Sequence, residues 1–162
     1  MGAFGAASLA KLAECAQPLQ DVLNEAIKYN DFTVICGHRN MKDQNAAFDA
    51  GASKVKWPLS KHNDKPSNAV DIAPYIAELP ESCRLLIGTP GQLDAISRAY
   101  KINKARAQAI LLRHYDILAG SILTIAAQKG IAIRWGGNWD GDQNLFDQIG
   151  KLDDAPHFEL VT

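Results

Sequence analysis

Residues 105–129 constrain the fold most strongly. Ile110, Leu111, His114, Ile117, Leu118, Ile122, Ile125 and Ala126 recur at the spacing of one helical face. Gly130 stands where a left-handed residue closes a helix. An apolar stripe of that length must be covered, so the shorter elements of the chain have to pack on it. The whole sequence is 162 residues, which suits one domain spanning 1–162. With 47% hydrophobic and 22% charged residues, the balance is that of an ordinary globular protein. Disorder, collagen-like repeats and coiled coils are thereby excluded.

The shorter elements alternate in type. Leu9, Leu12, Ala13 and Ala16 form a first helical stripe, with Ser8 as its expected N-cap. Pro18 suits the first turn of a second helix whose buried face is Leu19, Val22, Leu23, Ala26 and Ile27. Residues 31–36 have strand composition and stop at Gly37, and 41–50 read as a short helix ended by Gly51. Residues 52–68 hold prolines, lysines and small polar residues and read as an exposed loop. A strand over 69–73 ends at Pro74, and some helix is expected around 92–100. Strands follow at 131–135 and 157–161, separated by a Gly/Asp/Asn-rich loop reaching about Asp154. Helices and short strands are partly segregated, so the expected class is α+β, with a small antiparallel sheet and flanking helices.

Charge and cysteine usage narrow the function. Seventeen Lys and Arg against eighteen Asp and Glu give a net charge of −1, so no global field recruits nucleic acid or anionic lipid. Cys15, Cys36 and Cys83 are an odd, unpaired set and read as buried thiols of a reducing compartment. No run approaches the roughly 18 apolar residues of a membrane span, so no stable membrane insertion is expected. Residues 1–12 lack the basic start of a signal peptide, which points to a cytoplasmic protein.

Three residues stand out chemically. Asp71 interrupts an apolar strand between Val70 and Ile72, and burying an unpaired aspartate there costs roughly several kcal/mol. The plain alternative is a carboxylate on the solvent face of the strand. His62 lies in a polar loop ahead of that strand, and His157 opens the last one. Two histidines and a carboxylate leave a fourth tetrahedral position for water, as catalytic zinc requires. Asp154, three residues before His157, is a candidate base that is not itself a ligand.

Several motifs in order resemble one family. Ser60-Lys61-His62, Ala69-Val70-Asp71-Ile72, Arg134-Trp135-Gly136-Gly137-Asn138-Trp139 and Asp154-Ala155-Pro156-His157-Phe158-Glu159-Leu160 resemble the zinc D-alanyl-D-alanine carboxypeptidases. Upstream, residues 34–39 ending in Arg39, followed by Gln44, match the same family's strand, glycine, arginine and glutamine segment. The nearest likeness is to the phage endolysin branch, the L-alanyl-D-glutamate endopeptidases, and it covers roughly residues 16–75 and 113–161. The resemblance implies the hedgehog and D-Ala-D-Ala metallopeptidase fold and a Zn2+ cofactor held by His62, Asp71 and His157. It implies Asp154 as general base, Arg39 facing the substrate carbonyl, and Ser60 in contact with substrate. His62 and Asp71 are nine positions apart where the family has seven, which places a two-residue loop insertion within the segment 64–66. Asn138 replaces an acidic residue often found after Trp-Gly-Gly.

The implied partner is a peptidoglycan stem peptide, not nucleic acid. The implied life history is a monomeric lysin held in the host cytoplasm until the membrane opens. A D,D- or L,D-carboxypeptidase with the same chemistry is the enzymatic alternative, and a zinc-stabilised wall-binding module is the non-catalytic one. Other features have bland readings beside sharper ones. Asp140, Asp142, Asn144 and Asp147 alternate like a calcium loop, but Leu145 stands where an EF-hand needs Gly, so a solvated acidic turn is simpler. Cys36 near His38 could be a nucleophile but closes an apolar strand, and reads as a core thiol. His114 reads as packed or half-exposed, and Trp135 and Trp139 either line a cleft or cover the sheet. Arg98, Lys101, Lys104, Arg106 and Arg113 form a solvated face or a patch for anionic envelope polymers.

Overall fold

Helix α5 runs over Lys104–Gln128, about 37 Å at 1.5 Å per residue, and buries one face in the hydrophobic core. The computed structural model describes residues 2–142 and 154–161. Asn103 caps α5 by accepting from the amide of Arg106 at 2.8 Å, and Gly130 follows its end at φ +68. The buried face is Leu111, Tyr115, Leu118, Ile122 and Ile125, a run of alternating four- and three-residue steps. Ile117, expected on that face, is instead 64% exposed, because it lies a half-turn from Tyr115 and Ala119. By length and composition α5 could cross a membrane; its buried side chains lie in the hydrophobic core here.

Ahead of it come α1 (Ala6–Leu12), α2 (Gln17–Ala26), β1 (Phe32–Cys36), α3 (Met41–Asp49), β2 (Ala69–Pro74) and α4 (Pro90–Tyr100). After it come β3 (Ile133–Trp135) and β4 (His157–Leu160). Ser8 is not the cap of α1. Gly5 holds that position, and Ser8 is buried with its hydroxyl accepting from the Val34 amide at 3.2 Å, which ties α1 to β1. Residues 52–68 are not simply an exposed loop either. They contain a 3-10 turn over Lys61–Asn63, and His62, Asn63 and Ser67 are buried. The last pre-strand expectation also shortens, since β3 begins at Ile133.

The four strands form one antiparallel sheet in the order β1-β2-β4-β3. This is the α+β architecture expected from the sequence. Val34 pairs with Ile72, but a bulge then brings Cys36 opposite Asp71. On the other side Asp71 pairs with His157. The register therefore delivers a carboxylate, a thiol and an imidazole to neighbouring positions of three strands. Val70 and Ile72 point to the opposite face from Asp71, because side chains alternate along a strand, and both are fully buried.

The face assignment of α5 is directly testable by urea denaturation. Ile122→Ala should cost about 2–5 kcal/mol, since Ile122 has no exposed surface. Ile117→Ala should stay within about 0.5 kcal/mol of wild type.

Candidate metal centre

His62 is placed by a short capped turn. The Ser60 hydroxyl accepts from the His62 amide at 3.3 Å, and Asn63 Oδ1 accepts from the Ser60 amide at 3.1 Å, a reciprocal capping box. The Arg39 amide donates to the His62 carbonyl at 2.7 Å, which locks this turn to the segment after β1. His62 Nδ1 meets the Gly37 carbonyl at 2.7 Å. A carbonyl only accepts, so Nδ1 carries the ring proton and Nε2 is left as a lone pair. Gly37 can be nothing larger, because a Cβ there would stand 2.3 Å from the Lys11 carbonyl oxygen.

His157 is placed by a different device. The Asp154 amide donates to Gly136 O at 3.0 Å, the Gly136 amide to His157 O at 2.8 Å, and the His157 amide to Asp154 O at 2.9 Å. This closed set of backbone bonds pins Asp154 beside the start of β4. A Cβ on Gly136 would lie 2.4 Å from Asp154 O and 3.1 Å from His157 Cβ, so the glycine of the Trp-Gly-Gly segment is a packing requirement. His157 Nε2 lies 3.1 Å from Glu159 Oε2, an ionised acceptor that keeps the proton on Nε2 and leaves Nδ1 free.

Three acceptors thus converge. His62 Nε2 is 3.1 Å from Asp71 Oδ1, His157 Nδ1 is 3.1 Å from the same oxygen, and the two ring nitrogens are 3.2 Å apart. Lone pairs at that distance repel unless a cation sits among them. Ligands about 2.0–2.1 Å from a tetrahedral zinc lie about 3.3 Å from each other, so the triangle fits that ion. Cys36 Sγ, with His62 and Asp71, forms a looser donor set inside 4.8 Å. The tighter triangle of His62, Asp71 and His157 is the better cage. Cys36 is only half-buried and faces this cluster, so it is not the core thiol the sequence pointed to. Cys15 does behave as one, its thiol pushed up to about 12, first by burial and then by Cys36.

The electrostatics follow from the convergence. Burial opposes charge on every member, but hydrogen bonds outweigh it. His62 is raised to about 10, against its burial, by its bonds to Asp71 and Cys36, and His157 is raised by Asp71 and Glu159 against the same penalty. Asp71, against its burial, is held well below the carboxylate range by the two histidines. Without a metal ion the triangle therefore holds a proton.

The outer contacts are equally specific. Arg39 Nη2 donates to Asp71 Oδ2 at 2.9 Å and Nη1 to Gln44 Oε1 at 3.2 Å. Gln44, fully buried, donates in turn to the Val55 carbonyl at 2.6 Å. Arg39 thus grips the oxygen of Asp71 that the triangle does not use. Asp154 is raised above the ordinary carboxylate range, first by burial and then by the charge of Asp71. Arg39, Ser60, His62, Asp71, Asp154 and His157 all line one cleft of about 730 Å3. Every site residue expected from the sequence is therefore in one place.

Ser60 and the two tryptophans acquire defined parts. The Ser60 hydroxyl is engaged in capping the His62 turn. Trp135 is buried, with Nε1 donating to Ala155 O at 2.8 Å, and covers the sheet. Trp139 lines the cleft, its ring 5.5 Å from that of His157. Missed by the sequence reading were Glu159 and Tyr115. Glu159 alternates with His157 on one strand face and was readable as its partner; Tyr115, whose hydroxyl donates to Leu86 O at 2.6 Å, gave no signal distinct from core packing. His114 is half-exposed, as expected, and the basic residues 98–113 are exposed, with Lys104 paired to Asp94 at 2.6 Å. Of the suspected calcium loop, Asn144, Leu145 and Asp147 lie outside the described residues.

Comparison with known proteins bears on the family likeness and the fold. The family model described as phage L-alanyl-D-glutamate peptidase matches residues 2–80. The chain is similar to the phage L-alanyl-D-glutamate peptidases. That match takes in Arg39, His62 and Asp71 but ends well before Asp154 and His157, which rest on the geometry above. Among solved structures, the crystal structure of the L-Ala D-Glu endopeptidase ChiX of Serratia marcescens matches with a TM-score of 0.63. The two are 24% identical, over 98% of this chain and 89% of that one, and share the fold. No curated protein matches the chain.

Two substitutions separate the possible donor sets. His157→Ala should abolish stoichiometric zinc in the purified protein, whereas Cys36→Ser should retain it, both read by metal analysis. Because the raised rings hold protons that zinc must displace, zinc affinity should fall progressively as the pH is lowered below about 10, where His62 takes up its proton, measurable by chelator competition.

Proposed function

We propose that this chain is a zinc-dependent peptidoglycan endopeptidase that hydrolyses the bond between L-Ala and D-Glu of stem peptides. The observation that carries the reading is the triangle of His62 Nε2, Asp71 Oδ1 and His157 Nδ1 at 3.1–3.2 Å, open to a cleft that also holds Asp154. The names of the matching family and of the similar Serratia enzyme supply the bond. Bound zinc would supply Lewis acidity, lowering the pKa of water and polarising a peptide carbonyl.

The chain's own residues do the rest. An Asp154 carboxylate oxygen accepts the proton of the attacking water and hands it to the departing amine. Its burial, which raises it above the ordinary carboxylate range, suits the first duty, since a raised pKa makes the carboxylate a stronger base towards the water proton. Arg39 is held rigid by Asp71 and Gln44, so its charge costs no reorganisation as negative charge grows on the carbonyl oxygen. Leu59 and Ile87, both exposed, add apolar surface to the lining of the same cleft. In this reading the monomeric enzyme is stored in the host cytoplasm and lyses the cell by reaching the wall once the membrane is opened.

Digestion of purified Gram-negative sacculi, with the fragments read by mass spectrometry, tests the reaction. New amino termini on D-Glu, lost with a chelator and regained with zinc, are expected. Free D-alanine would make it a carboxypeptidase, and no product from zinc-loaded protein would leave a wall-binding module. Asp154→Asn should keep its zinc and lose about 100- to 10,000-fold in rate. Because the Asp154 pKa is raised, the wild-type rate should climb with pH through a midpoint above the ordinary carboxylate range, as the base form appears.

A further inference from the structure

Around His157 lies a cluster that neither the family likeness nor the metal triangle assigns. Glu159 sits two residues along β4, on the same strand face, and is only 6% exposed. Its Oε2 faces His157 Nε2 at 3.1 Å, and its Oε1 accepts from both Nε and Nη2 of Arg134. Arg134 comes from β3, opposite Glu159 in the register. The same guanidinium lies over the Trp139 ring, 5.3 Å from its centroid, and that ring is tilted 30° to the His157 imidazole at 5.5 Å. His157 is thus held at its edge by a carboxylate and on its face by an indole, and Arg134 joins the two holders.

We propose that Glu159 and Arg134 are the positioning residues of the metal centre, presenting His157 through Nδ1 with the ring proton on Nε2. The inference rests on the metal reading above. Its physical basis is that an imidazole has two tautomers and a free χ2 rotation, and a buried acceptor at Nε2 removes both freedoms. Outer partners of this kind typically change metal affinity 10- to 100-fold. His62 needs no side chain for the purpose, because the Gly37 carbonyl serves it. Asp71 has Arg39. Glu159 completes the set, and Arg134 keeps Glu159 aimed through its two bonds to Oε1, since without it the carboxylate would be a buried acceptor with one oxygen unpaired.

The test is zinc affinity by competition with a chromophoric chelator, together with the nitrogen resonances of the His157 ring in zinc-loaded protein. Glu159→Ala should weaken zinc 10- to 100-fold and remove the Nε2–H signature of His157. Glu159→Gln, which keeps an acceptor, should lie between it and wild type and retain that signature. Arg134→Ala changes an exposed residue and keeps the test alive if Glu159→Ala does not fold. It should weaken zinc several-fold and add nothing in a Glu159→Ala background, the non-additivity of residues in one network. Wild-type affinity in both alanine variants, or a wild-type chain that binds no zinc, would overturn the proposal. A chain that binds zinc with these dependences but cuts no stem peptide would refute the proposed function and leave this inference standing.

Discussion

A carboxylate in the middle of a buried strand organises this molecule. Asp71 is the central residue of β2, between strands on both sides, and a carboxylate at such a position must be compensated or neutralised. The chain compensates it three times, with His62 and His157 on Oδ1 and Arg39 on Oδ2. Each compensating residue comes from a different segment, so satisfying one side chain requires β1, the turn before β2, and β4 to meet. Removing any of these partners would leave buried charge, and for that reason fold and site are energetically one unit here.

The backbone devices that achieve the meeting are local and modest. A bulge in β1 moves Cys36 opposite Asp71 and turns the chain so that Gly37 offers its carbonyl to His62. The capping box of Ser60 and Asn63 fixes the His62 turn, and the three backbone bonds between Gly136, Asp154 and His157 fix the other side. Both glycines are tolerated for space and not for left-handed geometry, since a Cβ on either would strike a carbonyl oxygen. Pre-organisation of this kind matters because a metal ligand displaced by a fraction of an ångström loses its share of the binding energy.

Much of this was legible in the residues. Asp71 within an apolar strand signalled a special environment by its cost alone, and His62, His157 and Asp154 were brought together by family likeness, then by geometry. The strand and helix types followed from period-2 and period-3.6 patterns. What was not legible depends on tertiary register. Ser8 fitted a cap by local chemistry, yet its hydroxyl is claimed by Val34 26 residues away. Ile117 matched the helical stripe by spacing, but the buried arc of α5 is centred near Leu111 and Ile122, roughly a third of a turn away. Cys36 read as core because it closes an apolar strand and does not stand at a helix N-terminus, and only the bulge turned it toward the cluster of His62, Asp71 and His157. Residues 52–68 looked exposed by composition, while their polar side chains are the ones that hold His62.

Arg39 shows how a single residue serves both halves of this argument. Family likeness places it opposite a substrate carbonyl, and the structure places it on Asp71 Oδ2 and Gln44. The two roles are compatible because a guanidinium has five N–H donors in a rigid fork and these contacts use only part of it. Fixing it on Asp71 orients that carboxylate and simultaneously immobilises a positive charge at the cleft wall. The charge balance supports the same reading. Asp71, Asp154 and Glu159 are three carboxylates facing two guanidinium groups, Arg39 and Arg134, across one cleft lining. With neutral imidazoles the centre is short of positive charge, so it raises its own histidines when it holds only protons. A divalent ion in the triangle would reverse that deficit, and the field it leaves across the cleft would favour the negative charge of an attacked carbonyl over the neutral peptide.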